Sequence, residues 1–268
     1  MSNHLPGALL KLTDVTLGFA GNTVLQAVNF DVPGESIVSL IGPNGAGKTS
    51  LFNCITGFYK PQQGRIEFAG TQLLPLKPFQ VTRTGIARTF QNVRLFREMS
   101  VLENVMSGLH CRTHVGAFGA ILRLPSQRRE EADIRRRAGE CLSFVGIPAE
   151  EWERESSTLA YGHQRRVEIA RALASEPKLL LLDEPAAGLN SGEKQELVRL
   201  IARIKAERGV AVLLIEHDTG LVMSISERVS VLDHGLMIAE GTPKQIQADP
   251  KVIEAYLGAE DAEAALAL

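Results

Sequence analysis

Apolar and polar positions change rhythm along the chain. From Leu9 to Leu17 and from Val24 to Val32 they alternate, which predicts two antiparallel strands joined across Gly21-Asn22; strand-like runs recur at Arg65 to Ala69 and Ile86 to Phe90. Ile37, Val38, Ser39, Leu40 and Ile41 form a near-continuous apolar run, the pattern of a parallel strand buried on both faces. A helix is expected from Thr49, with Leu51, Phe52 and Ile55 on one side and Gly57 as its C-cap. Between about residues 92 and 160 the period turns helical, and the stretch from Gln127 to Val145 puts Ile134, Ala138, Cys141, Leu142 and Val145 on one face. From Gly162 onward the elements alternate: helix to Ser175, strand Leu179 to Leu182, helix Glu193 to Arg208, strand Val210 to Ile215, then Val229 to Leu232. Such alternation means a parallel sheet with helical crossovers. Pro243 behind Thr242 reads as a first helical position, and the Ala- and Glu-rich tail after Gly258 reads as disordered. The expectation is an α/β chain: a core of residues 8–91 and 161–257 that includes an N-terminal antiparallel β subdomain, an inserted helical subdomain at 92–160, and a tail at 258–268.

Composition narrows the class. With 268 residues, 44% apolar side chains and a formal charge of −2, the chain can bury a proper core as one domain with an insertion, or two. No apolar stretch approaches the roughly 18 residues of a membrane span. Met1-Ser-Asn-His-Leu-Pro6 lacks the basic and apolar regions of a signal peptide, so the expected place is the cytoplasm unless a partner recruits the chain. Cys54, Cys111 and Cys141 are odd in number and widely spaced, which suggests neither a disulfide framework nor zinc and reads as reduced thiols in or near the core. Arg128, Arg129, Arg135, Arg136 and Arg137, interleaved with Glu130, Glu131 and Asp133, read as the solvated face of a helix.

The candidate chemistry begins at Gly42-Pro43-Asn44-Gly45-Ala46-Gly47-Lys48-Thr49, which fits the phosphate-binding pattern G-x-x-x-x-G-K-[ST] between a buried strand and a helix. The glycines let backbone N–H groups point inward at phosphates, the helix start adds partial positive charge, and Ser50 continues its first turn. Lys48 would reach the β and γ phosphates and the Thr49 hydroxyl would hold Mg²⁺. A second anchor, Leu179-Leu-Leu-Leu-Asp183-Glu184, is an apolar strand ending in two carboxylates, with Asp183 toward the metal and Glu184 placed to polarise a water. No Asn-Lys-x-Asp segment reads guanine, which disfavours a GTPase.

From about residue 8 to 257 these residues resemble the ATP-binding subunit of ATP-binding cassette (ABC) transporters, whose fold is a P-loop NTPase domain. The resemblance implies ATP as the nucleotide and assigns Gln91 to the Q-loop, where it reaches the metal or the attacking water. It assigns Leu159-Ala160-Tyr161-Gly162-His163 to the signature motif, acting on the nucleotide of a second cassette, and Gly188-Leu189-Asn190 to the D-loop. His217 falls at the switch histidine and Phe19 at the aromatic that stacks on adenine. The signature departs from Leu-Ser-Gly-Gly-Gln: Ala160 supplies no hydroxyl, so closure is expected to be weaker or compensated from Tyr161 or His163. Asn190 stands where an aspartate is common. Arg94, Leu95 and Phe96, with the helices near Val101 to Leu109, are the expected groove for a membrane partner, with subdomain packing as the other reading.

The phrases at 56–61, 88–99, 182–190 and 214–218 look like one of the two ATPase subunits of branched-chain amino acid importers. That likeness implies a second, different ATPase subunit, two membrane permeases, an extracytoplasmic solute-binding protein, no nucleic acid, and a peripheral place on the cytoplasmic face of the membrane. Importers of other amides, amino acids or aromatic acids stay open, as do the ATPase of a lipopolysaccharide-type exporter and a soluble cassette protein.

Overall fold

A computed structural model describes residues 7–109 and 125–257; Cys111, the tail beyond Leu257 and the side chain of Arg128 lie outside what is described. The N-terminal alternation forms strands β1 (Ala8–Phe19) and β2 (Asn22–Pro33), antiparallel and extending past both ends of the alternating runs. With β4 (Gln63–Phe68) and β5 (Thr71–Gln72) they make a four-stranded sheet in the order β2-β1-β4-β5. Its inward positions Leu10, Leu12, Phe30, Ile66 and Phe68 are closed to solvent.

The second sheet runs β10-β9-β3-β8-β7-β6, comprising β3 (Ile37–Ile41), β6 (Ile86–Arg88), β7 (Leu179–Asp183), β8 (Ala211–Ile215), β9 (Arg228–Asp233) and β10 (Leu236–Gly241). Pairing is parallel from β9 to β6, and β10 folds back antiparallel on β9. Every residue of β3, β7 and β8 is buried, which is why these strands read as near-continuous apolar runs. The strand expected through Phe90 stops at Arg88: Thr89 still donates to Leu181, and then the chain leaves the sheet, where Arg165 takes the Phe90 carbonyl.

Helix α1 (Lys48–Ile55) follows β3 and α2 (Pro78–Thr84) precedes β6. Helices α3 (Val101–Leu109), α4 (Pro125–Phe144) and α5 (Tyr161–Ala174) pack together, sharing Val101, Leu102, Val105, Ala138, Leu142 and Val167 in one core. On α4 the expected face is buried, and Arg135, Arg136 and Arg137 point outward to Glu153, to Asp133 with Glu140, and to Glu176. Helices α6 (Ser191–Arg208), α7 (Thr219–Ile225), α8 (Pro243–Gln247) and α9 (Pro250–Leu257) complete the described chain. Cys54 and Cys141 are free and buried, and burial pushes the Cys54 thiol up to about 12. Among the described residues no helix is long and apolar enough to cross a membrane.

Candidate functional site

The loop between β3 and α1 is shaped by close backbone approach. A Cβ on Gly42, whose φ is +149°, would lie 1.9 Å from the Leu232 carbonyl oxygen, and one on Gly47, at φ +106°, would lie 2.9 Å from the Val24 oxygen. Only glycine fits either place. Gly47 caps α1 without a side-chain bond, so the N–H groups of Lys48, Thr49 and Ser50 have no carbonyl partner within the helix and face outward as donors. Asn44 and Gly45 at the tip and Thr49 are exposed, whereas Ala46 is buried and its carbonyl is held by Gly235 N–H at 3.0 Å. The Lys48 ammonium folds onto its own loop, donating to the carbonyls of Gly42 at 2.6 Å and Pro43 at 2.8 Å. Burial lowers its pKa, opposed by the negative charge of Glu184 and Asp183.

Beside the loop, β7 ends in Asp183, buried, and Glu184, half-buried. The pair is therefore no solvated turn. Glu184 has φ +47°, a left-handed backbone rare for a side-chain residue, and its N–H is fixed to the Ile215 carbonyl at 2.9 Å. Gln91 donates its side-chain amide to Glu184 Oε2 at 2.8 Å. His217 places Nδ1 3.8 Å from the same oxygen and 3.8 Å from Glu216 Oε2, with its side chain 63% exposed, so it is not a core histidine.

Two residues that sequence reasoning missed hold this cluster. Glu216 is buried; its carboxylate accepts from Ala186 N–H at 2.7 Å and from His217 N–H at 3.1 Å, tying the turns after β7 and β8 together. Arg88 is buried against Asp183, Nη2 to Oδ2 at 2.8 Å. A carboxylate directly before the histidine was a visible signal for the first; the second is a contact across two strands with no local signal.

Phe19 is 46% exposed and its ring meets Tyr59 in a T-shaped contact at 5.1 Å, which excludes a core role. The segment Leu159 to His163 lies at the head of α5, where Arg165 Nη2 reaches both the Tyr161 hydroxyl at 3.3 Å and the Gln91 carbonyl at 2.6 Å. Ala160 is its N-cap and makes no side-chain cap bond. Tyr161 is exposed and meets the turn at Gly188, where an added Cβ would lie 3.1 Å from its ring. His163 Nδ1 is 2.8 Å from Glu151 Oε2, an explicit partner rather than bare surface. Leu189 is half-buried, and Asn190 caps α6, accepting from Glu193 N–H at 3.0 Å while Glu193 Oε2 accepts from Asn190 N–H. The departure at 190 thus has a local capping explanation.

Around the expected partner groove Arg94 and Phe96 are exposed and Leu95 is half-buried. A cavity of about 310 Å³ lies beside Gln91, lined by Leu95 with Asn92, Val93, Arg97, Ser156 and Tyr161 among others; Arg94 turns over the Phe90 ring at 4.4 Å and Phe96 lies under Arg171 at 5.7 Å. Arg165 and Glu168, an ion pair of 2.9 Å closed to solvent, bind the segment after β6 to α5 through the Phe90 and Gln91 carbonyls and Arg94 N–H. Burial raises the Glu168 pKa, opposed by Arg165.

A glycine-lined loop at a helix start, a strand-end acid beside it and a helical insertion define a nucleotide-binding cassette. The ABC transporter family model matches residues 25–187, and the chain belongs to that family. A second model, described as "Branched-chain amino acid ATP-binding cassette transporter", matches residues 237–262. The high-affinity branched-chain amino acid transport ATP-binding protein LivG of Escherichia coli K12 is 48% identical over 250 residues, covering 93% of this chain and 98% of LivG. A crystal structure of the ADP conformation of an ATP-binding cassette of an ABC transporter superposes with a TM-score of 0.82 at 32% identity, covering 94% of this chain and all of that one. A dimeric post-hydrolysis cassette bound to ADP and Pi gives 0.74 at 26% identity, covering 87% and 98%.

Proposed function

We propose that this chain is the ATP-hydrolysing subunit of an importer for branched-chain amino acids, working in a pair of cassettes that close over ATP and reopen after hydrolysis. The observation that carries the chemistry is the convergence of Gln91 and His217 on Glu184, which stands one residue beyond Asp183. In this reading residues 42–50 cradle the phosphates, Lys48 leaves its loop carbonyls for the β and γ oxygens, and Phe19 stacks on adenine. Glu184 takes the proton of the attacking water, Gln91 fixes the carboxylate, and His217 orients the water against the γ-phosphate. Leu159 to His163 and Gly188 to Asn190 act on the nucleotide of the facing cassette.

Thr49, Asp183 and Gln91 offer hard oxygen donors that suit Mg²⁺. When bound, Mg²⁺ supplies charge neutralisation on the β and γ oxygens.

The transported class rests on the likeness to LivG and on the match at 237–262. The partners of this reading are a second, different ATPase subunit, two permeases and an extracytoplasmic solute-binding protein, with the chain on the cytoplasmic face of the membrane. Affinity purification of the tagged chain from detergent-solubilised native membranes tests it. A second cassette with two permeases, and a co-purified binding protein that takes leucine, isoleucine or valine, is the expected result. Export-type membrane subunits, or ribosomes, overturn it.

A further inference from the structure

Arg88 sits at the end of β6, opposite Leu181 of β7 and three residues before Gln91. Its Nη2 donates to Asp183 Oδ2 at 2.8 Å, and its Nη1 donates to Asn53 Oδ1 at 2.7 Å and to Thr56 Oγ1 at 3.3 Å, both on the far end of the phosphate-loop helix. The guanidinium lies 5.5 Å from the ring centroid of Phe52 and 5.3 Å from that of Phe90. Both partners of the ion pair are buried, the side chains 7% and 4% exposed. Arg88 Nε is buried without a partner, so the head is held toward Asp183 and Asn53 although that leaves one donor unsatisfied. A planar fork with donors on two arms can tie a carboxylate and an amide at once, whereas an ammonium is a single point charge. Among the described residues no hydrogen bond reaches Asp183 Oδ1.

We propose that Arg88 is a positioning residue for Asp183: it takes one carboxylate oxygen, fixes the carboxyl plane, ties it to the helix that opens with Lys48, and so sets how far a divalent cation tightens nucleotide binding. The inference rests on the assignment of Lys48 and Asp183 to phosphate and metal. Its physical basis is preorganisation. A carboxylate turning freely about its last torsion presents its open oxygen in many directions, and one held through its other oxygen presents it in one. Residues that orient a metal-binding group through hydrogen bonds are typically worth about 10- to 100-fold in metal affinity. Because Arg88 and Gln91 lie on one short segment, the same strand end also carries the amide that holds Glu184.

The test is equilibrium binding of a non-hydrolysable ATP analogue to the full chain, by calorimetry, in EDTA and in excess Mg²⁺. The comparison covers wild type, Arg88→Met, Arg88→Lys and Asn53→Ala, with melting curves to confirm folding. The expected result is that Arg88→Met binds within about twofold of wild type in EDTA but loses about tenfold of the tightening by Mg²⁺. Arg88→Lys is expected to lose nearly as much, since one ammonium cannot hold both Asp183 and Asn53. Asn53→Ala leaves the buried ion pair intact and folds where the Arg88 variants fail; it should lose several-fold of the Mg²⁺ effect. Unchanged tightening in every folded variant makes Arg88 a packing residue and overturns the inference. Increased tightening overturns it too, because Arg88 would then be competing with the cation. A wild type that binds no nucleotide in either condition refutes the phosphate-loop assignment instead.

Discussion

Gln91 donates its side-chain amide to Glu184, Nε2 to Oε2 at 2.8 Å, so the residue that leads toward the inserted helices holds the carboxylate of the proposed base. Glu184→Gln keeps the shape and removes the charge. ATP binding should stay within a few-fold while turnover falls by about 10²- to 10⁴-fold, the range of a positioned general base. ATP-loaded variant should accumulate as a closed pair on size-exclusion chromatography. Unimpaired turnover would assign the base elsewhere.

His217 is anchored through its backbone N–H to Glu216, while its ring is exposed beside Glu184. His217→Ala leaves that anchor in place. Turnover should drop by about tenfold or more, with nucleotide affinity within about twofold, measured as kcat against Kd. Equal losses in both would mark the ring as structural.

Lys48 exchanges two loop carbonyls for phosphate oxygens in the proposed cycle. Hydrogen bonds to charged groups are worth roughly 1.5 to 3 kcal/mol, so Lys48→Ala should weaken ATP binding by about 10- to 100-fold. Fluorescent-nucleotide titration measures it, and undiminished affinity would refute the role of residues 42–50.

Ala160 caps α5 without a side-chain bond. Ala160→Ser supplies an N-cap acceptor worth about 1 kcal/mol, which for a chain of this size raises Tm by about 2 to 4 °C without nucleotide. The same hydroxyl should increase the ATP-induced dimer when combined with Glu184→Gln. A higher Tm with no change in the dimer would confine the effect to the helix.

Asp218 accepts from Lys194 Nζ at 2.6 Å and from Leu221 N–H at 3.1 Å, and these bonds, Lys194 first, hold its carboxyl below the usual range. A carboxyl whose pKa is lower folded than unfolded adds stability above the unfolded value, near 3.9, and that stability is lost as pH falls through the folded value. The pair is partly exposed, so its worth is at most about 1 kcal/mol. Asp218→Asn should be less stable than wild type by up to that amount at pH 7 in urea melts, with the difference shrinking below about pH 4. A constant difference across that range would show that it does not come from the carboxylate charge.

Where burial is complete, the chain announces its structure. The runs Ile37–Ile41 and Leu179–Leu182 are nearly continuous in apolar residues because both faces of the strand are covered, and the bases of the two anchors are legible directly. Strand β10 was not read because most of its residues are only partly covered and no period develops; α2 and α7 are too short to show one. Arg88 pairs with a residue 95 positions away, and such a contact leaves no trace in local pattern. Asn190 looked like a departure from a motif, while its spacing from Glu193 also spells a helix cap.

The left-handed backbone at Glu184 sets folding against the proposed chemistry at one residue. A side chain there costs of order 1 kcal/mol that glycine would not. Drift toward tighter folding would therefore erase the carboxylate, and any lineage that gave up hydrolysis would be free to relax this turn first.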